Sequence, residues 1–113
     1  MGLMMFAAMP VTDYATAQRW YEKLFGAPPT FIPNDREAVW DLADGRSVYI
    51  EILPDHAGHA KLTLFVDDLD AVAAAIASRG LAPATRETYE NGVRKFTYVD
   101  PDGNEIGYGG APA

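Results

Sequence analysis

Apolar residues along this chain follow two different periods, and each period predicts a type of secondary structure. Between Asp13 and Gly26 they recur every three or four positions, which is the pattern of an amphipathic helix. The members of this apolar face are Ala17, Trp20, Tyr21, Leu24 and Phe25. Asp13 suits the N-cap and Gly26 suits the position after the last helical turn. A second helix is predicted from Leu69 to Arg79, with Asp68 near its start, Gly80 at its end and an apolar face formed by Val72, Ala73, Ile76 and Ala77.

Shorter segments alternate between apolar and polar residues, or are rich in β-branched and aromatic residues, and they predict strands. The predicted strands cover Met1–Met9, Thr30–Pro33, Glu37–Leu42, Ser47–Leu53, Lys61–Val66, Leu81–Tyr89, Val93–Val99 and Asn104–Gly109. Turn signals separate several of them. The sequence Asp100-Pro101-Asp102-Gly103 has the residues that a type I turn favours at its first, second and fourth positions.

The two halves of the chain have the same order of predicted elements. Val11-Thr12-Asp13 is matched by Val66-Asp67-Asp68, 55 residues later, and Gly26 is matched by Gly80, 54 residues later. Each half reads as one strand, one helix and three strands. The sequence therefore predicts an α+β fold made of two tandem βαβββ modules, about 3–54 and 60–110, within a single domain of residues 1–113.

Composition excludes several classes of function. The 113 residues include no cysteine, which excludes disulfides, thiolate zinc sites and iron–sulfur clusters. The formal charge of −7 and a pI near 4.6 disfavour nucleic acid as a partner and favour a cationic small molecule. The sequence contains neither a basic, cleavable leader pattern nor an apolar run of membrane-spanning length. We therefore expect a cytoplasmic protein without membrane contact.

Four motifs together resemble the vicinal oxygen chelate superfamily, which contains glyoxalases, bleomycin-resistance proteins and extradiol dioxygenases. They are Pro10-Val11-Thr12-Asp13, Trp20-Tyr21-Glu22-Lys23-Leu24-Phe25-Gly26, Val66-Asp67-Asp68-Leu69-Asp70 and Asp100-Pro101-Asp102-Gly103-Asn104. The resemblance runs from about Met5 to Gly109. It implies curled mixed sheets that form a cleft, and it implies a homodimer. These motifs are scaffold positions and do not specify a reaction.

Many members of that superfamily bind a divalent metal through His or Glu on four strands. The resemblance places these positions at Phe6, Glu51, Lys61 and Gly107, of which only Glu51 has a good ligand side chain. Thr97 stands where the extradiol dioxygenases have a tyrosine. We therefore predict no metal and no other cofactor. An alternative is a displaced divalent-metal site formed by Glu51, His59 and Glu105, since His59 and Glu105 lie two residues before vacated positions.

Strand parity then suggests which side chains face the cleft. The candidate ligand-binding residues chosen in this way are Phe6, Tyr49, Glu51, Lys61, Thr63, Phe65, Thr97 and Gly107, and Trp40 is added to them as an aromatic residue suited to stacking. An aromatic side chain such as Trp40 either stacks on a flat ligand or only fills a sheet face. Glu51 and Lys61 either pair with each other or serve chemistry.

Three functions remain open. The leading hypothesis is a metal-independent protein, nearest to the bleomycin-resistance branch, that sequesters a cationic or aromatic organic molecule. The alternative is a lyase, isomerase or dioxygenase, with a metal or with Glu51 as the base and Lys61 stabilising an oxyanion. A third possibility is a scaffold whose cleft is closed by Phe6, Phe65 and Tyr49 and which acts through protein contacts. The sequence does not decide whether the chain is an enzyme.

Overall fold

The computed structural model describes residues 2–113 and contains two α-helices, one 3-10 turn at Pro54–His56 and eight strands in that range. The helices are α1 Tyr14–Phe25 and α2 Leu69–Ser78; the strands are β1 Met5–Val11, β2 Phe31–Asn34, β3 Glu37–Ala43, β4 Arg46–Ile52, β5 Lys61–Phe65, β6 Thr85–Thr88, β7 Arg94–Val99 and β8 Glu105–Gly110. The predicted first strand is observed from Met5, and Met1 lies outside the described residues. The segment predicted to be extended over Leu81–Tyr89 contributes a strand of four residues.

The strands form two separate four-stranded sheets with the same topology. The order is β1-β4-β3-β2 in the first and β5-β8-β7-β6 in the second. In each sheet the first strand pairs in parallel with the last, and the other neighbours pair antiparallel. This arrangement confirms the α+β fold of two βαβββ modules. The parallel pairs are β1–β4 and β5–β8. Parallel pairing requires a long crossover connection, which the helix after the first strand of each module provides.

Both helices begin at an aspartate that caps the first turn. Asp13 Oδ1 accepts a hydrogen bond from the Thr16 backbone N–H at 2.9 Å, and Asp68 Oδ1 accepts one from the Ala71 N–H at 3.0 Å. Each bond satisfies a backbone donor that the helix itself leaves free. The first helix ends at Gly26, whose φ of 76° lies in the left-handed region that glycine adopts without a steric cost.

The helices and the inner faces of the sheets enclose the core. Its largest members are Trp40, Tyr21, Tyr98, Met9, Leu24, Ile50, Ile76, Ile106 and Val11. The assignment of Trp40 to the cleft is wrong, because its side chain is only 2% exposed and its indole Nε1 donates to the Ala27 carbonyl at 2.9 Å. Trp40 lies opposite Val48 in the β3–β4 pairing, and both side chains point toward the helices. No helix among residues 2–113 is long and apolar enough to cross a membrane.

A buried polar network joins the two modules. Asp100 is buried in the turn between β7 and β8, and its Oδ1 accepts hydrogen bonds from the backbone N–H groups of residues 102, 103 and 104. Its Oδ2 accepts from the Tyr21 hydroxyl and from the Asn104 amide, both at 2.7 Å. Because Tyr21 lies on α1 and Asp100 lies in the second module, this network fixes the helix of one module against a turn of the other.

Candidate functional site

The facing edges of the two sheets form a wedge. At one end the Asn104 amide connects them, since its Nδ2 donates to the Pro10 carbonyl at 2.7 Å and its Oδ1 accepts from the Ala60 N–H at 3.0 Å. Pro10 lies in β1 and Ala60 immediately precedes β5. Toward Met5 and Phe65 the two edge strands enclose a cavity of about 950 Å³ instead, which we call the wedge cavity. This volume lies within the range of small-molecule sites.

The wedge cavity is lined mainly by apolar side chains from both modules. The apolar lining residues are Met5, Phe6, Ala7, Leu24, Phe25, Leu42, Ala43, Val48, Leu62, Leu64, Phe65, Val66, Val72, Ala75 and Tyr108. Phe6 and Phe65 are 52% and 67% exposed, so the cavity reaches the surface beside them. A mainly apolar cavity with a few polar groups suits an organic ligand.

The charged groups in this lining have one sign. Arg46 at the start of β4 and Arg79 at the end of α2 are the two charged lining residues, and no aspartate or glutamate of residues 2–113 joins them. Arg79 is held in place by α1, because its Nη2 donates to the Leu24 carbonyl at 2.9 Å and its Nε donates to the Lys23 carbonyl. Arg46 is exposed.

Three of the lining side chains carry a neutral hydroxyl group, namely Tyr108, Ser47 and Thr63. Burial raises the pKa of Tyr108 above its usual value of 10, so its hydroxyl remains a neutral donor well beyond neutral pH. Ser47 already donates its hydroxyl hydrogen to Asp41 Oδ1 at 2.7 Å, whereas Thr63 lies on β5 beside the cavity mouth. The cavity therefore contains hydrogen-bonding groups that can orient a ligand.

The structure divides the predicted site residues among several places. Phe6, Thr63 and Phe65 line the wedge cavity, but so do Leu62 and Leu64 at the alternate positions of β5, so the cavity is not the sheet face that strand parity selects. Tyr49 and Glu51 lie on β4, and Lys61, Thr97 and Gly107 lie on the second sheet, outside that lining. Trp40 belongs to the core. The nine predicted residues therefore do not form a single site.

The outer faces of the two sheets differ in charge. Glu37 and Glu51 lie directly opposite each other in the β3–β4 pairing, and both carboxylates raise the pKa of Tyr49, after the larger contribution of its burial. On the second sheet Lys61 lies opposite Glu105, and Lys95 lies opposite Glu87. The alkyl chain of Lys95 covers Gly107, where an added Cβ would lie 2.5 Å from its Cε.

The residues at the superfamily's metal positions do not fit a metal ion. Phe6 has no donor atom, Gly107 has no side chain and is covered by Lys95, and Lys61 is a cation. Within residues 2–113 no three His, Asp or Glu side chains are grouped closely enough to hold an ion. The displaced site of Glu51, His59 and Glu105 is therefore not assembled within one chain. That the protein works without a metal remains a prediction.

Sequence reasoning missed the residues that shape the wedge cavity. Arg46 follows a turn glycine and Arg79 ends a helix, so both resemble ordinary solvated cations in the sequence. Val72 appears in the sequence as part of an ordinary apolar helix face, and Ala75 lies outside that face. A partial signal was present, because α2 contains five alanines and has few large side chains to fill its module.

Comparison with known proteins places the chain among proteins of this architecture. A family model described as the Glyoxalase/Bleomycin resistance protein/Dioxygenase superfamily matches residues 4–108. A solved glyoxalase / bleomycin resistance protein from Catenulispora acidiphila DSM 44928 is 53% identical with a TM-score of 0.94, and the match covers 98% of this chain and 100% of that chain. A comparison with curated proteins gives no match.

Two further solved structures are similar over almost their whole length. An antibiotic binding protein from Streptomyces sp. CB03234 is 26% identical with a TM-score of 0.72, and the match covers 100% of this chain and 98% of that chain. A bleomycin-binding protein in complex with bleomycin is 21% identical with a TM-score of 0.75, with 95% and 97% covered. At 21% identity the second likeness concerns the fold alone.

Proposed function

This chain belongs to the glyoxalase/bleomycin resistance protein/dioxygenase superfamily, and we propose that it is a metal-independent member that binds and sequesters an organic small molecule in the wedge cavity. One observation carries the proposal. A mainly apolar cavity of about 950 Å³ lies between the modules, while the positions that bind metal elsewhere in the superfamily contain Phe6, Lys61 and Gly107. Such a site can exclude water from a ligand, but it offers no electrophilic metal.

One similar structure supports a binding role. It is described as an antibiotic binding protein and is 26% identical to this chain. Sequestration requires only affinity, which an apolar cavity supplies by removing ligand surface from water, at about 25 cal/mol per Å².

The enzyme hypothesis has less support. Glu51 and Lys61, proposed as base and oxyanion stabiliser, do not line the wedge cavity. Within residues 2–113 the ion pair formed is Arg94 with Asp70, at 2.8 Å, and not Glu51 with Lys61. A catalytic pair must meet at one reacting centre, and nothing in the described chain brings these two side chains to such a centre.

The proposal is tested by isothermal titration of bleomycin and a panel of aromatic antibiotics in the presence of EDTA. We expect at least one compound to bind with a micromolar or lower Kd. Ala75→Phe should abolish this binding, because Ala75 lines the cavity on an exposed part of α2 where a larger side chain occupies cavity volume without disturbing the core. Ala74→Phe is the matched control, since Ala74 is also exposed on α2 but does not line the cavity.

Two results would overturn the proposal. One is the absence of binding across the panel. The other is a stoichiometric metal in the purified protein, found by elemental analysis after exposure to Zn²⁺, Ni²⁺, Mn²⁺ and Fe²⁺, together with binding that EDTA removes. The second result would restore the enzyme hypothesis.

The proposal includes a cytoplasmic homodimer. The large apolar side chains that are more than half exposed include those of Met4, Met5, Phe6 and Phe65. Burial of such exposed apolar surface favours the association of two chains. Sedimentation equilibrium should therefore give twice the mass of 12.3 kDa. A monomeric mass at high concentration would contradict this expectation.

A further inference from the structure

We propose that the ligand of the wedge cavity is an amphiphilic anion, with an apolar body between the two sheets and an acidic head group bound by Arg46 and Arg79. The inference rests on the proposed function, since it names the ligand class of the same cavity. It reverses the charge expected from composition. The net charge of −7 favours a cation, but a bound ligand responds first to the groups that touch it.

The charged residues that line the cavity are basic, although the chain as a whole is acidic. The sequence contains 16 acidic and 9 basic residues, yet the lining includes two arginines and, within residues 2–113, no carboxylate. Asp41 does not line the cavity, but its carboxylate accepts a hydrogen bond from the hydroxyl of Ser47, which does. A cationic ligand would meet two like charges with a mainly apolar background, which makes its binding unfavourable.

Both guanidinium groups have donors left for an anion. Arg79 has five N–H groups and uses two on the carbonyls at the end of α1, which leaves three. Those two bonds also fix the orientation of the side chain before any ligand arrives. Arg46 forms no ion pair within residues 2–113. Guanidinium groups bind carboxylates and phosphates through paired hydrogen bonds, which suits an acidic head group.

The rest of the lining suits an apolar body. Phe25 from α1, Leu42 from β3, Leu64 and Phe65 from β5 and Val72 from α2 surround the same space. Tyr108 adds one neutral donor beside them, and the positive charge of Arg79 acts on that hydroxyl. A hydrocarbon or aromatic body with one acidic group therefore satisfies the lining.

The test compares three probes that share a twelve-carbon alkyl chain and differ in head group, each below its critical micelle concentration or, for the alcohol, its solubility limit, with EDTA present. They are dodecanoate, dodecanol and dodecyltrimethylammonium, and binding is measured by isothermal titration. We expect dodecanoate to bind at least about tenfold more tightly than the cation. Arg46→Gln should weaken dodecanoate binding about tenfold and leave dodecanol unchanged. Arg19→Gln removes the same charge from an exposed position outside the cavity, so it should leave both affinities unchanged.

The possible failures are distinguishable. Equal affinity for all three probes, or tighter binding of the cation, overturns the anionic head group but leaves a binding protein. Dodecanoate binding that survives Ala75→Phe places the probe outside the wedge cavity and also overturns the inference. No binding of any probe overturns it too, whereas the antibiotic panel then decides on the proposed function independently. Recovery of dodecanoate affinity in Arg46→Lys would support a charge effect over a change of shape.

Discussion

The two helices occupy equivalent places in the two modules and fill them with side chains of very different size. On α1, Tyr21 and Phe25 contact Trp40 with ring centroids 5.9 and 5.8 Å apart. On α2, five of ten residues are alanine and the fully buried side chains are Leu69 and Ile76. One module therefore has a core of packed aromatic rings, and the other has a thin helix over its sheet.

The small side chains of α2 leave space on one side of the wedge cavity. Val72 and Ala75 line it from α2, while α1 contributes only its last turn, Leu24 and Phe25. Protein interiors are packed at crystal-like density, so volume that the side chains leave free persists as a cavity. The two modules share a backbone plan and both line the cavity, so the small side chains of α2 add to its volume without making it a feature of the second module alone.

The largest expected effect comes from removing the aromatic core of the first module. Trp40→Ala should lower the free energy of unfolding by about 3–5 kcal/mol, because it removes a buried ring and leaves a cavity behind. Urea denaturation followed by circular dichroism measures it. The control is Tyr89→Ala, whose side chain is 45% exposed and whose loss should change stability by no more than about 0.5 kcal/mol. A loss below about 1 kcal/mol for Trp40→Ala would show that the aromatic module is not the more tightly packed one.

A smaller effect separates two buried tyrosines. Tyr21→Phe removes the donor to Asp100 Oδ2 and leaves a buried acceptor with one partner fewer, which should cost about 1–3 kcal/mol. Tyr98 is just as buried, but within residues 2–113 its hydroxyl has no hydrogen-bond partner. Tyr98→Phe should therefore be neutral or stabilising.

The same urea titration measures both tyrosine variants. Equal losses would mean that the hydroxyl of Tyr21 does not join the modules, and that the two positions respond only to the change in ring packing. A loss confined to Tyr98→Phe would reverse the comparison.

Local sequence signals were sufficient for the secondary structure but not for the site. The caps at Asp13 and Asp68, the stop at Gly26 and the turn that begins at Asp100 depend on residues a few positions apart, and each is observed. The wedge cavity depends on how the modules meet. That geometry is fixed by Asn104 binding Pro10, 94 residues away, and by Arg79 binding Leu24, 55 residues away.

The error at Trp40 has a related physical cause. Its ring suggested ligand stacking, but its face is decided by the β3–β4 register, which places it opposite Val48 on the helix side. A shift of one residue moves every side chain of a strand to the other face. Because register is set by the pairing of two strands, the residues of β3 alone could not show which face of the sheet Trp40 occupies.

The smallest effect concerns a feature that the two modules share, the aspartate that caps each helix. The hydrogen bond from the Thr16 backbone N–H holds the pKa of Asp13 below its usual value of 3.8. Because the folded value is lower than the unfolded one, the stabilisation is fully present above about 3.8 and is lost as the pH falls through the folded pKa. Asp13→Asn keeps an N-cap without the charge, so its stability should be below that of the unmodified chain near neutral pH and should approach it as the pH falls below 3.8. Asp67→Asn changes the net charge equally at an exposed position before the second helix, and it serves as the control. A gap between Asp13→Asn and the unmodified chain that stays constant over this range, measured by urea denaturation, would show that the capping bond does not depend on the carboxylate charge.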